Sequence, residues 1–206
     1  MGRRAACDEP VARDVVGVVG GYVDKLDGQQ LETLFRDCAD DVHGYAISLL
    51  GDRAAAEDVT ALAFERLYRS RRRLDRTRGT PRAWLFAIVR NAALDELRRR
   101  RRQGGPGFDG EGAPPDGPLP GAGPEGHPDP AEAIEQAERR ATVQAALREL
   151  PPREREVVLL KFHGQLTNGE LARVLGISES NAGTRVHRAL TRLRDACVEL
   201  ARQEVA

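Results

Sequence analysis

Apolar residues along this chain recur at spacings of three and four, and no stretch alternates apolar with polar residues. The pattern therefore predicts helices and no strand. The first clear run extends from Leu31 to Leu50 through Leu34, Phe35, Cys38, Val42, Tyr45, Ala46 and Leu49. Gly51-Asp52 ends it and starts a second helix reaching Tyr68, with Ala55, Val59, Leu62, Ala63 and Leu67 on its apolar side. A basic loop from Arg71 to Gly79 follows. Thr80 then has the character of an N-cap and Pro81 that of a first helical residue. The helix they open carries Trp84, Leu85, Ile88, Val89, Ala92 and Leu97 and runs into Arg98 to Arg102. Upstream, Val11 to Leu26 also has helical spacing, weakened by Gly17, Gly20 and Gly21.

From Gln103 to Pro130 the pattern stops. Glycine and proline are dense, aliphatics almost absent, and nothing there can bury a core, so the segment reads as a flexible linker. Beyond it a helix over Ala131 to Leu150 carries apolar residues at Ile134, Ala137, Ala141, Val143, Ala145, Ala146, Leu147 and Leu150. Pro151-Pro152 breaks it and starts another holding Val157 to Leu160, closed near Gly164. The expected architecture is all-α. Two small helical domains, 29–102 and 131–206, are joined by the linker 103–130 and preceded by an N-terminal extension, 1–28.

Composition adds a charge pattern that the average conceals. Formal net charge is zero, yet the segments 1–60, 61–103, 104–130 and 131–206 carry −6, +10, −5 and +1. A central block at +10 suits a polyphosphate partner, and its cations are all arginines. The longest apolar stretches fall far short of the ~20 residues that a membrane span requires. Acidic residues, not an apolar core, follow Arg3-Arg4, so no secretory signal is visible and a cytoplasmic location without membrane insertion is expected. Cys7, Cys38 and Cys197 are far apart with no histidine at ligand spacing, which argues against a metal site or a disulfide framework. There is no G-x-x-x-x-G-K-[ST] phosphate loop and no plausible catalytic constellation. No cofactor, metal or catalytic residue is expected. Trp84, the lone tryptophan, fits either a core position beside Leu85 and Ile88 or a platform for an unstacked base.

The most specific local signal begins at Thr167. Thr167 and Glu170 have the spacing of a capping box, Ala172 is small where a second helix must cross closely, and Gly176 sits where the chain turns with positive φ. Ile177 can fill the space between the helices and Ser178 can cap the next one. On that helix Ala182, Val186, Ala189, Leu190 and Leu193 share one face. Ser180, Asn181, Thr184, Arg185 and Arg188 lie on others. Short hydrogen-bonding groups and arginines on the first turns are what a recognition helix needs to reach base edges and phosphates in a major groove.

Taken together, the two halves resemble the sigma-70 family, residues 31–102 its region 2 and 133–200 its region 4, in the short extracytoplasmic-function arrangement. The first resemblance rests on Gly51-Asp52, Ala56-Glu57-Asp58-Val59-Thr60, Phe64, Trp84 to Asn91 and Asp95 to Arg99. The second rests on Leu150 to Val157, Leu171-Ala172, Leu175 to Ser178 and Arg185 to Ala189. The resemblance implies a sigma factor that binds core RNA polymerase and directs initiation at promoters. Glu57, Asp58 and Phe64 would dock on the polymerase clamp. Arg90, Asn91, Asp95, Arg98 and Arg99, with Arg76 and Arg78 in the preceding loop, would hold the melted −10 element. Ser180, Asn181, Thr184, Arg185 and Arg188 would read the −35 element as duplex. An anti-sigma factor is a further implied partner. The alternative is a stand-alone helix-turn-helix regulator, which would bind a palindromic operator without polymerase.

Overall fold

The computed structural model describes residues 26–73, 79–104 and 130–205, and within them the only regular elements are helices. The expected helix over Val11 to Leu26, apart from Leu26 itself, and nearly all of the expected linker lie outside the described residues. Helix α1 (Gly28–Leu50) begins at Asp27, whose carboxylate accepts from the Gln30 N–H at 2.7 Å in a capping box. It ends at Gly51, held at φ 72°, the left-handed conformation that terminates helices cheaply only at glycine. Asp52 immediately caps α2 (Arg53–Ser70) through the Ala55 N–H, so two caps packed into two residues force a sharp α1–α2 corner. A 3-10 turn, Arg71–Arg73, extends α2. Helix α3 (Pro81–Arg102) starts as expected, with Thr80 Oγ1 accepting from the Ala83 N–H at 3.2 Å and Pro81 in the first turn.

These three helices pack on one another around Val42, Tyr45, Ala63, Leu67, Leu85, Phe86 and Val89, all fully buried. Tyr45 and Phe86 meet edge to face with centroids 5.7 Å apart, a favoured aromatic arrangement.

The C-terminal half consists of α4 (Pro130–Glu149), α5 (Pro152–Phe162), α6 (Asn168–Leu175) and α7 (Glu179–Val205), with α4, α5 and α6 all packed on α7. Arg155 fixes the α4–α5 corner. Its guanidinium is buried and donates to the carbonyls of Leu147 (2.7 Å), Arg148 (2.6 Å) and Leu150 (3.2 Å), acceptors that a helix end leaves orphaned. Burial lowers its pKa from the ordinary arginine value, while the three carbonyls take up its donors. Gly164 does not itself adopt the left-handed turn after α5; Gln165 does, at φ 51°. Gly164 is required for space instead, since a Cβ there would stand 2.4 Å from the Leu160 carbonyl oxygen.

The two halves touch. Helix α6 packs on α3 and α5 on α1, so the N-terminal ends of α3 and α6 lie side by side.

Candidate nucleic-acid interface

Helices α6 and α7 form the helix-turn-helix. Thr167 and Glu170 close the expected capping box, with the Thr167 N–H donating to Glu170 Oε2 at 2.9 Å. Gly176 makes the turn at φ 67°, ψ 37°, and the Ile177 N–H returns to the Ala172 carbonyl at 2.9 Å. Ser178 Oγ then accepts from the Asn181 N–H at 3.3 Å, which sets the start of α7. Ala182 and Ala189 are fully buried and Val186, Leu190 and Leu193 pack against the core, so one stripe of α7 is consumed by the fold. The other side is open: Ser180, Asn181, Thr184 and Arg188 are exposed and Arg185 is partly so. Asn181 Oδ1 accepts from Arg185 Nε at 3.0 Å, orienting the guanidinium along the exposed face.

The second predicted surface divides. Asn91, Asp95 and Arg98 follow helical spacing along one exposed stripe of α3, with Arg98 paired to Asp95 at 2.9 Å. Arg99 binds both carboxylate oxygens of Glu96 at 2.7 Å and lines a cleft between α2 and α3 together with Asp95 and Asp58. That pairing, first the hydrogen bonds from Arg99, holds the Glu96 carboxyl below its ordinary pKa. Arg90 points the other way. Its Nε donates to Glu156 Oε1 of α5 at 2.7 Å, with side-chain exposures of 20% and 8%, so this guanidinium already has a carboxylate partner. Arg76 and Arg78 lie outside the described residues. Trp84 is partly buried and packed on the core, consistent with its core reading.

Beside the Arg90 pair, three contacts that the sequence does not signal carry much of the meeting of the halves. Arg82 of α3, braced by Asp41 at 2.5 Å, donates to the carbonyls of Gly164 (2.7 Å) and His163 (2.8 Å) at the C-terminal end of α5. A cation there meets both orphan acceptors and the negative end of the helix dipole. The Thr80 hydroxyl donates to Glu170 Oε1, so one carboxylate serves the α6 capping box and the start of α3. Burial raises the Glu170 pKa, but the hydrogen bonds from Thr80 and Thr167 outweigh it and the net direction is downward. His163 is 1% exposed and its ring rests on Gly44 of α1, 6.5 Å from the Tyr45 ring. Neither ring nitrogen has a hydrogen-bond partner, and burial depresses its pKa to about 4. None of these contacts has a local spacing signature, because each joins residues about 80 to 120 positions apart in different halves or depends on a helix end meeting a distant side chain.

The predicted clamp residues also divide. Phe64 is partly buried and meets Phe35 edge to face at 4.7 Å, while Phe35 is 53% exposed. Glu57 is exposed on the same side of α2, two turns earlier, and pairs with Arg53 at 3.0 Å. Asp58 faces the cleft toward α3. Among the described residues no helix is long and apolar enough to cross a membrane.

Residues 34–103 match the family Sigma-70 region 2, and residues 140–193 match Sigma-70, region 4. The chain is 32% identical to the ECF RNA polymerase sigma factor SigE of Mycolicibacterium smegmatis over 91% of its own length and 68% of that protein. It is also 32% identical to the RNA polymerase sigma factor CarQ of Myxococcus xanthus, over 84% of this chain and 94% of that one. Its fold is similar to the sigma factor RpoE of Bartonella quintana, solved in complex with the anti-sigma factor NepR. The TM-score is 0.58 and the identity 18%, covering 82% of this chain and 96% of that one. It is similar too to CnrH, solved with the cytosolic domain of CnrY, at TM-score 0.53 and 23% identity over 82% and 88% of the two chains. Both halves of the molecule, in the same order, are thus those of one family. The chain belongs to the sigma-70 family as an extracytoplasmic-function sigma factor, a subunit that directs promoter-specific initiation of transcription.

Proposed function

We propose that the two halves divide promoter recognition between them, residues 29–102 binding core RNA polymerase and the melted −10 element and residues 131–206 binding the −35 duplex. The observation that carries this reading is the open face of α7, where Ser180, Asn181, Thr184, Arg185 and Arg188 stand over a helix-turn-helix whose other face is spent on the core. Arg185 and Arg188 are suited to guanine edges or phosphates, and Ser180, Asn181 and Thr184 to shorter contacts at the groove floor. On α3 the stripe Asn91, Asp95 and Arg98, continued by Arg99, offers the mixture of amide, carboxylate and cation that an extruded base and its backbone require. Arg90, and Arg76 and Arg78 in the preceding loop, complete that set. Glu57, Asp58 and Phe64 form the clamp-binding set, and Phe35 enlarges its apolar part.

The protein has no catalytic chemistry of its own in this reading and acts in the cytoplasm, where the polymerase is. An anti-sigma factor that covers these surfaces is the expected regulator, by analogy with the relatives solved in such complexes. The stand-alone regulator is disfavoured, since it has no use for a region 2 domain. Run-off transcription with purified core polymerase tests the proposal. Promoter-specific transcript is expected only when the protein is added, and its absence on every candidate promoter of the source genome would overturn it.

A further inference from the structure

The two helices of the helix-turn-helix each rest a polar side chain on a glycine of the other. The Asn168 amide of α6 lies against Gly183 of α7, whose would-be Cβ stands 3.5 Å from Nδ2. In return the Glu179 carboxylate of α7 lies against Gly169 of α6, with Cδ and both oxygens 3.5 Å from the would-be Cβ. Neither glycine is among those with positive φ, so backbone conformation does not call for either. Gly183 lies inside α7, where glycine is otherwise unfavourable, and what it provides is a flat seat for the amide. We infer that Asn168, with Glu179 beside it, is a further base-reading group of the −35 surface, supplied by α6 where α7 has no side chain, and that it recognises adenine. The inference rests on the assignment of α7 to the −35 duplex.

The neighbouring polar groups already have work inside the fold. Thr167 and Glu170 close the α6 capping box, Ser178 caps α7 and Asn181 holds Arg185. Asn168 and Glu179 are exposed, and among the described residues neither side chain has a hydrogen-bond or ion-pair partner. Gly183 stands one turn beyond Ser180 and directly before Thr184, so an amide seated on it joins the exposed side that carries those two residues. The chemistry of this edge differs from that of Arg185 and Arg188. A carboxylate only accepts hydrogen bonds, so a phosphate approaching here meets the Glu179 charge, whereas a base amino group meets acceptors from both helices. An asparagine amide matches adenine with two bonds, donating to N7 and accepting from the N6 amino group.

The test uses the full chain in holoenzyme and competition band shifts on −35 duplexes that carry each of the four bases at one position at a time. At one position the wild type is expected to prefer adenine on the order of 10-fold, the discrimination that a single two-bond base contact gives. Asn168→Ala removes the amide, and Gly183→Leu puts a side chain in its seat. Both are expected to abolish the preference at that position and to keep it elsewhere. Asn168→Ala combined with Gly183→Asn returns an amide to the same place from α7, and it is expected to restore the preference. Failure of that rescue would make the loss a structural one and overturn the inference. A preference that survives Asn168→Ala, or a loss uniform across all duplexes as for a phosphate contact, would also overturn it. In those cases weaker binding by Arg185→Ala would leave the assignment of α7 standing. Wild-type binding that ignores every −35 substitution would overturn that assignment and the inference with it.

Discussion

Helices α3 and α7 are the two helices whose arginines are proposed to meet DNA, and they hold their charges differently. On α7 the polar side is set by the core: with Ala182 and Ala189 fully buried, Ser180, Asn181, Thr184 and Arg188 have nowhere to point but outward. On α3 the three described arginines of the proposed −10 set divide, Arg90 to a carboxylate of the other half, Arg99 to its own helix neighbour Glu96, and Arg98 to an exposed pair with Asp95. A recognition helix for duplex DNA must insert as a preformed face, whereas a surface that captures a strand only once it separates can be engaged elsewhere beforehand. In the proposed division the same residue type is a preformed reader in one helix and an exchangeable contact in the other.

The largest effect that separates them is expected on α7. Replacing Arg185 and Arg188 together by alanine removes two base or phosphate contacts worth about 1–3 kcal/mol each, so duplex binding by the holoenzyme should fall by on the order of 100-fold or more. Band shifts of a −35 fragment measure it. The loss should depend on the −35 sequence for a base contact and be uniform across sequences for a phosphate contact. Asn91→Ala should leave this duplex binding intact and lower open-complex formation, read by permanganate footprinting. Equal loss of duplex binding in both would erase the distinction between the helices.

Acid should act on the contact between the two halves, where His163 rests on α1. Burial depresses the His163 pKa from an ordinary 6.5 to about 4, so the neutral ring is the form held where the two halves meet. A depressed histidine contributes stability that is fully present above about pH 6.5 and is lost as pH falls toward 4; the whole interval is worth about 3 kcal/mol and the part lost by pH 5 about 2 kcal/mol. Tyr45 from α1 and the Arg82–Asp41 pair from α3 and α1 are the titratable or charged groups about it, and none supplies a partner to the ring nitrogens. Scattering or inter-domain energy transfer between pH 7.5 and 5 should therefore record opening in the wild type. His163→Leu should hold the same dimensions across that range. An identical pH response in the variant would assign the opening to another group.

What could be read from the residues alone follows the same division. The helices from Leu31 onward, the cap at Thr80, the box at Thr167 and the turn at Gly176 depend on neighbours within four positions, and the structure reproduces each. The face of α7 was readable because burial of its alanines leaves only one exposed side. The partner of Arg90 was not, since Glu156 is 66 positions away and across the linker. Phe35, on the apolar stripe of α1, is half exposed, its ring set edge to face on Phe64. Gly44 gave no signal at all; a glycine in a helical run looks like a weakness until the histidine that fills its notch is known.

A pair of threonines gives an effect of intermediate size. Thr80 and Thr167 each cap a helix, and either alanine substitution should cost about 1 kcal/mol of helix stability. Thr80 has the second bond, to Glu170, so Thr80→Ala should also loosen the contact between the halves, whereas Thr167→Ala should act within the helix-turn-helix and weaken duplex binding instead. Hydrogen exchange at the first turns of α3 and α6 separates the two. Protection lost at both turns in Thr80→Ala but at α6 alone in Thr167→Ala is the expected result, and the reverse would mean that Glu170 is held by its own helix only.

The smallest expected change in stability carries the sharpest contrast with function. Asp95 and Arg98 are 62% and 68% exposed, and an ion pair of that exposure three residues apart on a helix contributes a few tenths of a kcal/mol at most. Asp95→Asn should therefore shift the thermal midpoint by no more than about 1–2 °C, since a few tenths of a kcal/mol moves the midpoint of a domain of this size no further. If the stripe on α3 reads the −10 strand, the same substitution changes which bases are accepted there, since an amide offers donors where the carboxylate offers only acceptors. Transcription from a promoter set varied at single −10 positions should then lose discrimination at one position and keep it at the others. A uniform loss at all positions would make Asp95 a residue that only orients Arg98 on the backbone, and α3 a surface that grips the strand without reading it.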